Sequence, residues 1–336
     1  MKIFMIGGTG LLGSEGAKAL IKDGHKVSTL SLPPIPKGSI LPDGMDIDFG
    51  NYLEMTDDEI RQSLEGCDGF VFAAGVDERI PATSPVYEFF KKYNIDPLER
   101  FLTIAKECGV KHAVILGSYF SWANRAMPEL NLYKHHPYIR SRVDQAEMAL
   151  SFADDDMNVS VLEIPYVFGS QAGRKPVWVF LVEQIRNMKD ATQYPEGGTA
   201  MVTIRQVGQA IAGAIRNGVS GNYPVGYYNM QWSEMLSIMH KYMNREDKRI
   251  IVIPKEAYIS AMQAKGAEER QKGKESGLDT FEFAKVFTSN LFIDKEIIVN
   301  QLGVKEDDID HAIGESVRLS MEILEGKTSV IDMTAV

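Results

Sequence analysis

Residues 135–147 read HHPYIRSRVDQAE, a stretch in which a tyrosine precedes a cation by one helical turn. Side chains at i and i+4 share a helix face, and Pro137 suits a first helical position. Tyr138 and Arg142 are therefore expected to point at one site. A free phenol titrates near ~10, so a neighbouring cation is what lets it exchange protons at neutral pH. Such a pair suits acid–base work on a hydroxyl or a carbonyl group. An arginine supplies the charge and the donors but stays protonated, so it can tune the tyrosine without relaying its proton. The competing reading is an ordinary surface pair. His135 and His136 are sequence neighbours, which one metal ion does not readily bridge, so exposed or capping roles are expected of them. Cys67 and Cys108 are the only cysteines. With no CxxC and no Cys/His cluster they read as buried, reduced thiols, and no metal site is expected.

The elements that would position such a pair lie upstream. KIFMI (2–6) is a buried strand, IGGTGLLG a loop carrying Gly7, Gly10 and Gly13, and LGSEGAKALIKDG a helix ending at Gly24. In that order the three make a dinucleotide-binding turn: glycines for tightness and close backbone approach, and a helix N-terminus for the pyrophosphate. Thr9, Leu11 and Leu12 complete the loop. Further strands are HKVSTLS (25–31), MDIDF, GFVFAA (69–74), HAVILGS (112–118) and NVSVLEI (158–164), with NIDPLERFLTIAKECG a helix among them. This alternation predicts an α/β fold, a parallel sheet doubly wound by helices. The second strand ends at Ser31 with no carboxylate beside it. A carboxylate there would hold a ribose hydroxyl and repel a 2′-phosphate. Its absence, with Lys37 downstream, tilts the expected cofactor toward NADP over NAD.

Beyond residue 165 four segments carry helical apolar spacing: KPVWVFLVEQIRNMK, IRQVGQAIAGAIRNG, QWSEMLSIMHKYM and DDIDHAIGESVRLSMEILEG. YPVGYYNM and KRIIVIP are short strand candidates, and Trp178 and Trp232 fall on apolar faces, as core residues do. The charged, apolar-poor stretch 264–279 reads as an exposed helix end and a mobile loop. The expected plan is a dinucleotide-binding part over 1–165 and a smaller, mostly helical substrate region over 166–336, with possible strand returns to the sheet.

The chain's 336 residues and 44% hydrophobic content allow a sizeable core. A net charge of −10 argues against nucleic acid or an anionic membrane as the main partner, since both require a basic face. No signal-peptide pattern and no apolar run of spanning length is seen, so a cytoplasmic protein acting on a small molecule is expected.

With these residues in hand, the chain resembles the extended short-chain dehydrogenase/reductase family, and within it the NAD-dependent epimerase/dehydratase branch. GGTGLLG is similar to the family's first loop, and GNYLEMTDDEIRQSLEGCDGFVFAAG to its third-to-fourth strand segment. KECGVKHAVILGS, EIPYVFG (163–169) and FIDKEIIVNQLGV resemble later family segments. The resemblance implies a Rossmann-type fold and a nicotinamide cofactor held further by Asn51, Ala73, Ala74, Gly75, Asn94 and Pro165. It implies Tyr138 as the acid/base, Arg142 in the place of the usual lysine, and a serine that orients the substrate. Ser118 is the first candidate for that serine and Ser121 the second; a shifted register would put Tyr119 at the catalytic position. Arg174 and Lys175 lie where substrate contacts are common, and Glu163 stands where an arginine is common. A homodimer is implied, through the helices carrying Asn94 and Tyr138. The implied activity is that of an NAD(P)-dependent oxidoreductase, epimerase or dehydratase on a hydroxyl- or carbonyl-bearing substrate, a sugar nucleotide among the possibilities. Arg142 also fits a non-catalytic dinucleotide-binding scaffold.

Overall fold

The structure is a computed structural model that describes residues 1–331. Six strands appear where the apolar runs put them: β1 (Lys2–Ile6), β2 (Lys26–Ser31), β3 (Met45–Phe49), β4 (Gly69–Phe72), β5 (His112–Ser118) and β6 (Asn158–Ile164). With Gly221–Pro224 they form one seven-stranded sheet, running from Gly221–Pro224 through β6, β5, β4, β1 and β2 to β3. Every pairing is parallel. The order of β1 to β6 is that of a doubly wound nucleotide-binding sheet, with its crevice where the winding reverses between β1 and β4.

Side-chain alternation explains why both faces are covered. Ile3, Met5, Val71 and Val114 pack to one side with Leu20, Ala210 and Ile211 from helices Leu11–Lys22 and Ile204–Asn217. Phe4, Ile6, Phe70, Phe72 and Ile115 point to the other, against Leu98, Phe101 and Leu102 of helix Asp96–Glu107.

The region after residue 165 contributes to both layers. Its helix Ile204–Asn217 covers the main sheet and its strand Gly221–Pro224 extends it. YPVGYYNM thus divides, one end joining the large sheet and Tyr228–Gln231 pairing antiparallel with Gly198–Thr203. Gly198–Thr203 also pairs with Tyr166–Phe168 and Asn290–Leu291. A separate core holds Phe168, Trp178, Trp232 and Met235.

The stretch 264–279 meets its expectation in its first half, an exposed helix end, and departs from it in the second. Helix Lys255–Gln271 runs through its first half. The second half is a strap tied to the tyrosine helix, Pro137–Leu150. Gly277 O accepts from Tyr138 N (2.9 Å), and Asp279 N donates to His136 Nδ1 (3.0 Å). The Glu275 carboxylate takes bonds from Ser84 Oγ (2.5 Å) and Val86 N (2.9 Å). Charge made this stretch look untethered; most of its charged residues are exposed, but hydrogen bonds at Glu275, Gly277 and Asp279 hold it in place. Cys67 is buried and Cys108 only half-buried, and both are free thiols. No helix among the described residues is long and apolar enough to cross a membrane.

Candidate active site

A cleft of about 670 Å³ runs from the glycine loop across the C-terminal ends of β1, β4 and β5 to the tyrosine helix and the strap. Gly7, Thr9, Gly10, Leu11, Leu12 and Gly13 line one end, followed by Ser31, Ala73, Ala74 and Gly75, then Ser118, Tyr138, Arg142 and Pro165.

The glycine loop is shaped for an anion. Gly7 has φ +83°, and a Cβ there would stand 2.6 Å from Ala73 O; one on Gly13 would stand 2.1 Å from Gly7 O. Gly10 caps helix Leu11–Lys22 without a side-chain acceptor, and the first turn carries no acidic residue. Its N–H groups and dipole are thus left to a ligand phosphate. These residues fit a dinucleotide.

At the other end Tyr138 and Arg142 are both buried on one face of their helix. The guanidinium lies 5.9 Å from the centre of the tyrosine ring and donates from Nη2 to Leu116 O (2.9 Å), while its buried Nε has no partner. Burial pushes the phenol above its usual range. Arg142 pulls it back, Glu78 and Asp77 push it up, and a hydrogen bond with Ser118 lowers it. Ser118 ends β5 and caps the next helix, Tyr119–Ala126, accepting from Phe120 N (3.3 Å). Tyr119 also lines the chamber, its hydroxyl taking a bond from Thr199 Oγ1 (3.3 Å).

Several expected residues stand behind the cleft wall. Ser121 is buried, donating to Ser118 O and Glu163 Oε1, both at 2.6 Å. The fully buried Glu163 carboxylate also takes both oxygens' worth of bonds from Arg125 Nη2, each 2.8 Å. That ion pair is why a carboxylate is tolerated at position 163, and it keeps Ser121 from the substrate side. Asn94 is buried in a π-helical turn, Lys91–Ile95, where its amide accepts from Val76 N (2.8 Å) and donates to Val76 O (3.0 Å). It holds the loop after β4 from beneath. Asn51 turns onto its own loop, binding Leu53 N and Glu54; Gly50 and Tyr52 line the cleft in its stead. Arg174 lines the cleft, but through Gln171 it is bound to the glycine loop, not to the Tyr138 end. Lys175 does not line it, and its backbone nitrogen donates to Ile331 O (3.1 Å). Lys37 is exposed and outside the lining, while Ser31 Oγ accepts from Thr9 N (3.3 Å).

His136 is a buried residue at the start of the tyrosine helix. Because its Nδ1 accepts the Asp279 N–H, the ring proton sits on Nε2. Burial brings its pKa down to about 4; Asp279 and Glu282 oppose that shift and His135 adds to it.

Sequence reasoning missed the strap residue Leu278, the aromatic wall of Tyr166, Phe283 and Phe287, and the charged trio Asp77, Glu78 and Arg79. Only the trio left a signal, three consecutive charges after the AAG turn.

Fold and cleft together define a dinucleotide-binding α/β protein of the doubly wound class. The family model described as the NAD dependent epimerase/dehydratase family matches residues 3–221, and the chain belongs to that family of enzymes. Among solved structures, gox2253 is similar at 16% identity, over 97% of this chain and 99% of that one, with a TM-score of 0.75. A nucleoside-diphosphate-sugar epimerase from Pseudomonas aeruginosa matches at 16%, over 98% and 99%, with a TM-score of 0.68. UDP-glucuronic acid 4-epimerase from Bacillus cereus, in complex with NAD, matches at 12%, over 97% and 98%, with a TM-score of 0.67. At these identities the likeness is one of fold. No curated protein sequence matches the chain. The expected tilt toward NADP finds no support in these comparisons, whose family is NAD-dependent.

Proposed function

We propose that this enzyme uses NAD to interconvert a hydroxyl and a carbonyl group on a small substrate with an apolar or aromatic body, with Tyr138 as its acid/base. When bound, the dinucleotide supplies hydride exchange. Gly7, Gly10, Gly13 and the first turn of helix Leu11–Lys22 hold its phosphates, and Ala73, Ala74, Gly75 and Pro165 frame it. Ser118 orients the substrate oxygen, and Tyr138 holds the proton that this oxygen gains or gives up. Arg142 lowers the phenol's pKa against its burial and, staying protonated, relays no proton.

The observation that carries the reading is the convergence of Tyr138, Ser118 and Arg142 at the end of the cleft remote from the glycine loop. NAD is favoured over NADP because the family is NAD-dependent. A second reading, a sugar-nucleotide epimerase, draws on the fold shared with such enzymes. The test is Tyr138→Phe in the full chain, assayed with NADH against small ketones and, loaded with oxidised NAD, against UDP-glucose. NADH affinity is expected to stay near wild type while turnover falls by roughly 10²–10⁴. Full turnover in Tyr138→Phe removes the reading. Turnover of UDP-glucose alone selects the second.

A further inference from the structure

The tyrosine helix has a second working face. Tyr138 lines the cleft, while Pro137 and Arg140 line a separate cavity of about 320 Å³. The strap divides in the same way, Leu278 facing the cleft and Ser276 and Asp279 the cavity. Helix and strap, joined by the bond from Tyr138 N to Gly277 O, are thus a wall common to both spaces.

Arg140 brings a cation to that cavity and finds no counter-charge. Its guanidinium lies over the Tyr87 ring, 3.6 Å from the ring centre, and its buried Nε has no partner. The guanidinium makes no hydrogen bond or ion pair among the described residues. Helical spacing offers it Asp144 at i+4, but that carboxylate already accepts from Tyr87 Oη (2.6 Å) and Tyr133 Oη (2.8 Å). The carboxylates lining the cavity are engaged too. Glu269 pairs with Lys274 (3.1 Å) and Asp279 with Arg270 (3.3 Å), so these charges cancel. Glu275 is turned to Ser84 Oγ and Val86 N. Arg140 and Lys134 remain as cations without a carboxylate, and the Ser276 hydroxyl has no hydrogen bond among the described residues.

A partly buried polar group left unpaired costs free energy unless a ligand completes it. The two unpaired charges are positive, so the ligand is an anion. A guanidinium fork, an ammonium and a hydroxyl call for more acceptor oxygens than the two of a carboxylate, which favours a phosphate group. Stacking on Tyr87 holds the fork in one plane, the condition for paired bonds to phosphate oxygens. The volume admits a small molecule and no larger partner.

We propose that this cavity is a regulatory site for a small phosphate-bearing molecule, held by Arg140, Lys134 and Ser276, which ties the tyrosine helix to the strap and so steadies the wall of the substrate chamber. The inference does not depend on the chemistry assigned to Tyr138.

The test uses the full chain saturated with NAD, so that the glycine loop is closed to the probe, and orthophosphate titrated by calorimetry at constant ionic strength. Wild type is expected to bind orthophosphate about tenfold or more tightly than acetate. Arg140→Gln should weaken orthophosphate binding about tenfold or more and Lys134→Gln about threefold, with Arg140→Lys between wild type and Arg140→Gln. Unchanged melting temperature and NAD affinity show that the variants are folded; should Arg140→Gln not fold, Lys134→Gln, which alters an exposed side chain, carries the test. Amide hydrogen exchange at Tyr138 and along the strap should slow when orthophosphate is added to wild type, and stay unchanged in Arg140→Gln. Glycerol 3-phosphate bound more tightly than orthophosphate identifies a phosphate ester as the ligand, and the reverse order identifies free phosphate. No binding of either probe, equal affinity in wild type and the variants, acetate bound as tightly as orthophosphate, or binding that leaves the exchange unaltered overturns the inference.

Discussion

The backbone nitrogen of Tyr138 donates to the carbonyl of Gly277, 2.9 Å away, so the strap from the C-terminal region is bonded to the main chain of the candidate acid/base itself. Gly277 has little room for more. A Cβ there would lie 2.9 Å from Phe90 Cζ and 3.3 Å from Tyr138 Cβ, and Phe90 is fully buried. Gly277→Ala is therefore expected to lower stability by about 1–3 kcal/mol through overpacking. Because the neighbouring Leu278 walls the chamber, KM should rise more than kcat falls. Thermal melting with steady-state kinetics checks both; a variant with wild-type melting and KM would show that the strap adapts freely.

Arg142 stands 5.9 Å from the Tyr138 ring and lowers its pKa against burial. Arg142→Lys is expected to keep or raise turnover, since the charge remains. Arg142→Met removes it, and the pH–rate profile should move to higher pH because the phenol deprotonates less readily. Leu116 O also loses its donor in that variant, so stability is measured alongside. An unmoved profile in a folded Arg142→Met protein contradicts the tuning role.

The parts of this site that were legible in the sequence are those where local pattern and tertiary role coincide. Gly7, Gly10 and Gly13 between a strand and a helix can hardly serve another geometry, and Tyr138 and Arg142 share a face by helical period alone. The strap was not legible, because the Glu275 carboxylate meets Val86 N, and the Asp279 backbone N–H meets His136, only once the fold brings them together. Asn51 and Arg174 carry the right chemistry in the right region, but which way each turns depends on Leu53 and Gln171, contacts that no periodicity encodes. Glu163 looked anomalous for the same reason: Arg125, which compensates it, is remote in sequence.

His136 couples acid to the strap. Its folded-state pKa of about 4 lies below the ~6.5 of a free imidazole, so the folded form binds fewer protons than the unfolded chain between these values. Its contribution is complete above pH ~6.5 and is lost as the pH falls toward 4. The loss is roughly 2–3 kcal/mol. Protonation at Nδ1 would also break the bond from Asp279 N. In His136→Asn, whose side-chain oxygen can accept the same bond without titrating, urea unfolding across this window should show a shallower fall in stability than wild type. Equal slopes in the two proteins would assign the acid sensitivity elsewhere.

Arg174 was expected beside the substrate, and its contacts tie it to the glycine loop instead. Its Nε donates to Gln171 Oε1 (2.9 Å), and Gln171 Nε2 in turn donates to Thr9 O (3.0 Å) and Ser39 Oγ (2.8 Å). This chain of bonds fixes the guanidinium in the lining of the cleft next to the glycine loop, with no hydrogen bond from its outer nitrogens among the described residues. A guanidinium so held pairs with phosphate oxygens in a fixed geometry, which a lysine's point charge reproduces only in part. Arg174→Gln is expected to weaken NADH binding about tenfold, corresponding to one charge-assisted hydrogen bond. Arg174→Lys should recover part of that loss. Neither should change kcat at saturating NADH, since Arg174 is remote from Tyr138 along the cleft. Calorimetry with NADH and NADPH on each variant reads the effect and the dinucleotide preference together. A fall in kcat at unchanged NADH affinity would return Arg174 to the substrate.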